Sequence, residues 1–156
     1  MRVGQGVDVH RFSDDACRPL RLGLVEIQGA PGLAGHSDAD VATHALCDAL
    51  LGAANLGDLG RHFPDSDPAT AGITSRRLLE RTVELVTSAG FRAVSGDVTI
   101  IAERPTLAPY MADMSSALSK VVGALVSVKA TTTDGLGALG RGEGIAASAV
   151  VLVEDA

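Results

Sequence analysis

The chain has 156 residues, the size of one ordinary domain, with 46% hydrophobic and 21% charged residues, which suits a packed core and excludes disorder. Its formal net charge is −6 and its pI about 5.0, so it lacks the electrostatic footprint of non-specific nucleic-acid binding. The two cysteines, Cys17 and Cys47, form no CxxC and are too few for a disulfide framework.

In chain order, residues 2–12 alternate and are rich in Val and Gly, as a strand would be. Pro19 to Ile27 is a second β-like stretch suited to a hairpin arm, and GAPGLAGHSD is a loop. Asp38 is placed to cap a helix of about four turns, ADVATHALCDALLGAAN, that ends near Gly57. Cys47 falls inside that helix as a small buried apolar residue. The next stretch, GDLGRHFPDSDPATAG, is irregular. A helix from Ser75 to Ala89 carries Leu78, Leu79, Leu85 and Val86 on one side, with Gly90 as its C′ residue. FRAVSGDVTIIAE reads as a strand, and a third helix starts near Pro109 and runs through Met111, Met114, Leu118 and Val122. VSVKATTT and IAASAVVLV are the last two strands, separated by a glycine-rich turn. This order predicts an α/β (α+β) sandwich, a mixed β-sheet with helices packed on one face, and one domain over residues 1–156.

The opening MRVGQGVDVHRF has charges where a signal peptide needs an apolar run, and Ile145 to Val153 is too short to span a bilayer. These features predict no membrane association and a reducing, cytoplasmic setting.

Asp8 and His10 stand two apart in a predicted strand, so both side chains leave the same face. His44 lies on the first long helix, one turn after Asp40 and one turn before Asp48, and either carboxylate is in position to hold its ring in one tautomer. Together Asp8, His10 and His44 would give zinc three protein ligands and an open fourth position, the arrangement of a catalytic site. The competing reading is a surface histidine and a strand-end charge, which spacing alone leaves open.

Two segments suit phosphate. His36-Ser37-Asp38 precedes a helix N-terminus, where free N–H groups and the helix dipole favour anions, although a plain Ser/Asp cap is the commoner case. Lys129-Ala130-Thr131-Thr132-Thr133-Asp134 offers three hydroxyls, a cation and a carboxylate able to hold a hard cation such as Mg²⁺. Arg141 and Lys129, with bound metals, would offset the acidic balance of the chain. Gly135, Gly137 and Gly140 spell GxGxxG, but a strand rather than a helix is predicted next, which rejects a dinucleotide fingerprint. There is no GxSxG, and neither cysteine neighbours a histidine, so the available parts suit phosphoryl transfer by positioning and charge stabilisation.

Taken together, GVDVHRF, AGHSDADVATHALCDALLGAANLGDLGRHFPDSDP, DVTIIAERP and VKATTTDGLGALGRGEGIA resemble the 2-C-methyl-D-erythritol 2,4-cyclodiphosphate synthase family, in order and over almost the whole chain. The resemblance implies a homotrimer with active sites between subunits, binding a small-molecule cytidine diphosphate. It implies Zn²⁺ (or another divalent cation) on Asp8, His10 and His44, and Mg²⁺ or Mn²⁺ bridging the substrate phosphates near Asp134. By the same resemblance, His36 and Thr132 stabilise the transition state and Ser37 contacts phosphate. Asp58, Leu59 and Gly60, with Phe63 to Asp67 (Asp65 included), would surround the methylerythritol unit. Ala102 to Leu107 (Pro105 included), with Ala130, Thr131 and Thr133, would form the cytidine pocket, and Arg141 would bind ligand near the GRGEG turn. Three positions depart from the family pattern: Asp134 replaces a usual Glu, Thr106 a frequent Lys, and Ala138 a frequent aromatic. Two rival readings use the same ligands: a zinc-dependent phosphoesterase that hydrolyses its substrate, and a non-catalytic metal-binding assembly protein.

Overall fold

The computed structural model describes residues 1–64 and 72–156. The expected contacts of Asp65 and Asp67 lie outside the described residues. Four strands form one mixed sheet in the order β1-β6-β4-β5: β1 (Arg2–Arg11), β4 (Phe91–Ile101), β5 (Leu125–Thr131) and β6 (Gly144–Asp155). β6 runs antiparallel to both β1 and β4, while β4 and β5 are parallel. Connecting β4 to β5 is a helical crossover, a 3-10 turn at Ala108–Tyr110 followed by α4 (Met111–Val122). Two further helices, α1 (Val41–Ala53) and α3 (Ser75–Ser88), complete the helical layer. No helix among the described residues is long and apolar enough to cross a membrane.

The strand periodicity explains why the helices cover one face. Along β1 the even positions Gly4 and Gly6 are buried and Asp8 and His10 half-buried, whereas Val3, Val7 and Val9 point outward and are exposed. Gly4 and Gly6 allow α1 to lie directly on the strand. A Cβ at either would stand 2.0 Å from a helix carbonyl, that of Ala49 or of Ala45. Beneath α1 the core fills with Leu46, Leu50, Val98, Ile100, Ile145, Ala147 and Val151, so aliphatic and small residues do the work that aromatics do elsewhere. Cys47 is fully buried, as its position in the helix predicts.

Several expected boundaries move. Pro19 to Ile27 is not one stretch but the start of a hairpin, β2 (Pro19–Leu22) and β3 (Val25–Pro31), reversing at Gly23 and Leu24, both at positive φ. Asp38 does not cap the first helix; Asp40 does, accepting from the Thr43 amide at 3.0 Å. The helix therefore begins at Val41 and ends at Ala53, short of Gly57. Gly90 is the left-handed residue after α3, as predicted. The turn before β6 holds a one-turn helix, α5 (Gly137–Gly140), where the sequence suggested a strand directly; four residues are too short to revive a dinucleotide site.

Candidate metal centre and active site

Close contact between β1 and α1 brings together residues 36 apart. Asp8 Oδ2 lies 3.0 Å from His44 Nδ1 and 3.2 Å from His10 Nε2. One ligand atom from each of Asp8, His10 and His44 lies within 4.8 Å of the others, a grouping that suits a metal ion. The competing picture of a surface histidine and an isolated strand-end charge is thus overturned.

Each ring is held from behind. His10 Nδ1 is 2.5 Å from the Ala34 carbonyl, which can only accept, so Nδ1 donates there and Nε2 is the nitrogen left to face Asp8 or a metal ion. The His44 ring has Ser37 Oγ at 3.4 Å from Nε2. Neither Asp40 nor Asp48 orients that ring, contrary to the expectation from helical spacing. Fully buried, Asp40 accepts from the amides of Gly23, Leu24 and Thr43 and from the Thr43 hydroxyl. Asp48 accepts the Leu59 amide at 2.8 Å. Two imidazole nitrogens and one carboxylate oxygen converging in this way fit zinc by donor type and by number.

Electrostatics reflect the same crowding. Burial alone would raise the Asp8 carboxyl, but hydrogen bonds and charge from His10 and His44 hold it well below the usual carboxylate range. Its hydrogen bond to Asp8 raises His10 against the opposing effect of burial. Desolvation raises Asp48, with Asp58 and Asp8 adding like-charge repulsion.

The three residues open onto a cavity of about 340 Å³ that is also lined by His36, Ser37, Asp48, Leu59, Gly60 and Phe63. Of the residues expected to surround a substrate, His36, Ser37, Leu59, Gly60 and Phe63 are therefore assembled around Asp8, His10 and His44. Asp58 stands at the rim, capping the short helix α2 (Leu59–His62) through the Arg61 amide. Asp38, which the sequence offered as a cap, instead grips the start of α3, accepting from the amide and the hydroxyl of Ser75. Gly72, Ile73 and Leu78 at that end of α3 complete the wall. Gly35 is a further lining residue that sequence reasoning missed; a Cβ there would come within 3.0 Å of the His10 ring.

A second group does not line this cavity. Ala102, Pro105 and Leu107 follow β4, while Ala130 and Thr131 end β5 and Thr132, Thr133 and Asp134 turn away from it. The Ala102 amide donates to the Thr131 carbonyl at 3.0 Å, so the two segments lie side by side. Thr132 and Asp134 are exposed, and Asp134 has φ +56°. The free cations expected here are already engaged. Lys129 bonds Asp97 on the open sheet face, and Arg141 donates to Glu143 at 2.6 Å. Strand alternation turned Lys129 to the outer face, which the run of hydroxyls had obscured.

Comparison with known proteins agrees with this arrangement. The model of the YgbB family matches residues 1–154. A protein of Desulfatibacillum aliphaticivorans named 2-C-methyl-D-erythritol 2,4-cyclodiphosphate synthase is 54% identical over 99% of this chain and all of its own length. Among solved structures, the bifunctional IspDF from Campylobacter jejuni superposes with a TM-score of 0.93 at 38% identity, covering 99% of this chain, which spans 42% of that longer protein. A 2C-methyl-D-erythritol-2,4-cyclodiphosphate synthase in a CDP-bound form superposes with a TM-score of 0.88 at 35% identity, over 98% of this chain and all of that one. With the family model and its relatives matching from end to end, the chain belongs to the YgbB family, that of the 2-C-methyl-D-erythritol 2,4-cyclodiphosphate synthases.

Proposed function

We propose that the chain converts 4-diphosphocytidyl-2-C-methyl-D-erythritol 2-phosphate to 2-C-methyl-D-erythritol 2,4-cyclodiphosphate and CMP, a phosphorus–oxygen lyase reaction that supplies isoprenoid precursors by the non-mevalonate route. The observation that carries this reading is the convergence of Asp8, His10 and His44 on one wall of a cavity that also presents His36 and Ser37. A 2-phosphate oxygen of the substrate attacks the β-phosphorus, and the bond from that phosphorus to the bridging oxygen breaks, releasing CMP. No protein nucleophile is required, so the chain's contribution is to place two phosphates in line. Zn²⁺ on Asp8, His10 and His44 and Mg²⁺ or Mn²⁺ near Asp134, when bound, supply positive charge to the crowded phosphates.

The chain's own groups divide the remaining work. Ser37 and His36 hold phosphate oxygens beside the metal ligands. Leu59, Gly60 and Phe63, with Asp58 at the rim, enclose the methylerythritol unit, and Asp65 and Asp67 share that role. Ala102, Pro105, Leu107, Ala130, Thr131 and Thr133 receive the cytidine, Thr132 stabilises charge on the diphosphate, and Arg141 binds ligand on the axis of the trimer. Residues 1–156 act as one domain in the cytoplasm. A homotrimer completes each site, a reading supported by the uncovered apolar positions Val3, Val7, Val9, Leu125 and Val150 on the sheet face opposite the helices.

The test is to incubate the protein and Mg²⁺ with the cytidine-linked substrate and weigh the products. CMP with a cyclic diphosphate supports the proposal; a linear product indicates the phosphoesterase, and no CMP with metal bound indicates a non-catalytic metal protein.

A further inference from the structure

Glu103 stands two residues after β4, within the segment proposed to receive the cytidine, yet its side chain serves a different segment. One oxygen, Oε1, accepts from the Thr133 amide at 2.9 Å, the Thr133 hydroxyl at 3.1 Å and the Gly135 amide at 3.3 Å. The hydroxyl also lies 2.7 Å from the Leu136 carbonyl and has one proton for two acceptors, so the two amides are the constant donors. Those amides bracket Asp134, whose φ of +56° is unfavourable for a residue with a Cβ and needs local support. Thr132 sits one residue before the bracket, its Oγ1 accepting from the Asp134 amide at 3.2 Å.

We propose that Glu103 is a positioning residue for the cyclisation, clamping the 132–135 turn to the end of β4 so that Thr132 and Asp134 are fixed relative to the nucleotide. The amides of Gly135 and Thr133 stabilise its ionised form and lower its pKa, so at neutral pH the clamp is a charged acceptor. An ordinary solvated surface carboxylate would touch neither segment and could be removed without effect. The inference rests on the proposed cyclisation, because Thr132 and Asp134 matter only if a diphosphate sits beside them.

Three variants of the full chain, Glu103→Ala, Glu103→Gln and Glu103→Asp, test it by CMP release, CDP calorimetry with and without Mg²⁺, zinc content and thermal melting. Glu103→Ala is expected to keep its zinc and lose roughly tenfold or more in kcat, the loss typical of a displaced catalytic group, with less change in KM. Its CDP affinity should gain less from Mg²⁺ than the wild type's does. Glu103→Gln keeps an acceptor oxygen in place and should recover most of both. Glu103→Asp keeps the charge but draws it back by one methylene, and should resemble the alanine variant; it also serves should the alanine variant fail to fold. A kcat within twofold of wild type for a folded Ala or Asp variant, or a folded Gln variant no better than Ala, overturns the proposal. Wild-type protein that neither releases CMP nor binds CDP overturns the cyclisation first and this inference with it.

Discussion

Asp8 Oδ2 and His44 Nδ1 stand 3.0 Å apart although one belongs to the first strand and the other to the first helix. That distance is set by backbone packing, because α1 rests on Gly4 and Gly6 of β1 with no side chain between them. The convergence of Asp8 and His44 is therefore a product of how the helix docks.

Removing the helix-borne ring should unload the centre without unfolding the chain, since the core residues beneath α1 are untouched. His44→Ala is expected to fold and to lower zinc affinity by more than the ~10–100-fold typical of an outer-shell partner. Elemental analysis of the purified variant checks this, and an unchanged zinc content would remove His44 from the centre.

Asp40 joins the tip of the β2–β3 hairpin to the start of α1 through four donors in a site with no exposure. Asp40→Ala leaves three amides and a hydroxyl without their acceptor and removes the helix cap. A destabilisation of about 2–4 kcal/mol is expected from the cap and charged hydrogen-bond values together. Urea unfolding measures it, and a change under 1 kcal/mol would contradict the bonding described.

Much of this was legible before any coordinates. Alternation put Asp8 and His10 on one strand face, whereas spacing placed His44 only on the first helix, and the family resemblance joined it to the other two. Which aspartate of Ser37-Asp38-Ala39-Asp40 caps α1 was not legible, since both are good caps and the decision lies with distant donors. Ser75 claims Asp38 from 37 residues away, and the turn at Gly23 and Leu24 claims Asp40. The same holds for Glu103, whose partners lie across a helical crossover, and for Asp48, whose amide partner belongs to the next short helix.

Acid stability offers a third prediction. The Lys129 ammonium and the Ser127 hydroxyl lower the Asp97 carboxyl on the open sheet face. A lowered folded pKa contributes stability above the unfolded aspartate value of about 3.9, and that contribution is lost as pH falls through the folded value. In the single chain solvent screening keeps it small, as both groups are about half exposed. NMR titration should find Asp97 below the unfolded value, and Asp97→Asn should flatten the acid limb of the stability curve. An ordinary Asp97 titration would contradict the pairing.

The open face gives a fourth. Val7 and Val9 are each 58% exposed on the sheet face opposite the helices. If three copies cover this face, Val7→Asp places a charge in the contact and should yield monomers by light scattering, with CMP release falling in step. A wild-type protein that is monomeric at micromolar concentration would exclude the trimer.

The seam between β1 and α1 also limits how the sequence can drift. Because the strand meets the helix main chain there, no rotamer adjustment can absorb added bulk at Gly4 or Gly6. A library randomised at those two positions should return almost only glycine, whereas one randomised at Leu46 and Leu50 should accept many aliphatic combinations. The geometry of the Asp8, His10 and His44 group is thus insulated from repacking of the interior and exposed to change at two of the smallest residues in the chain.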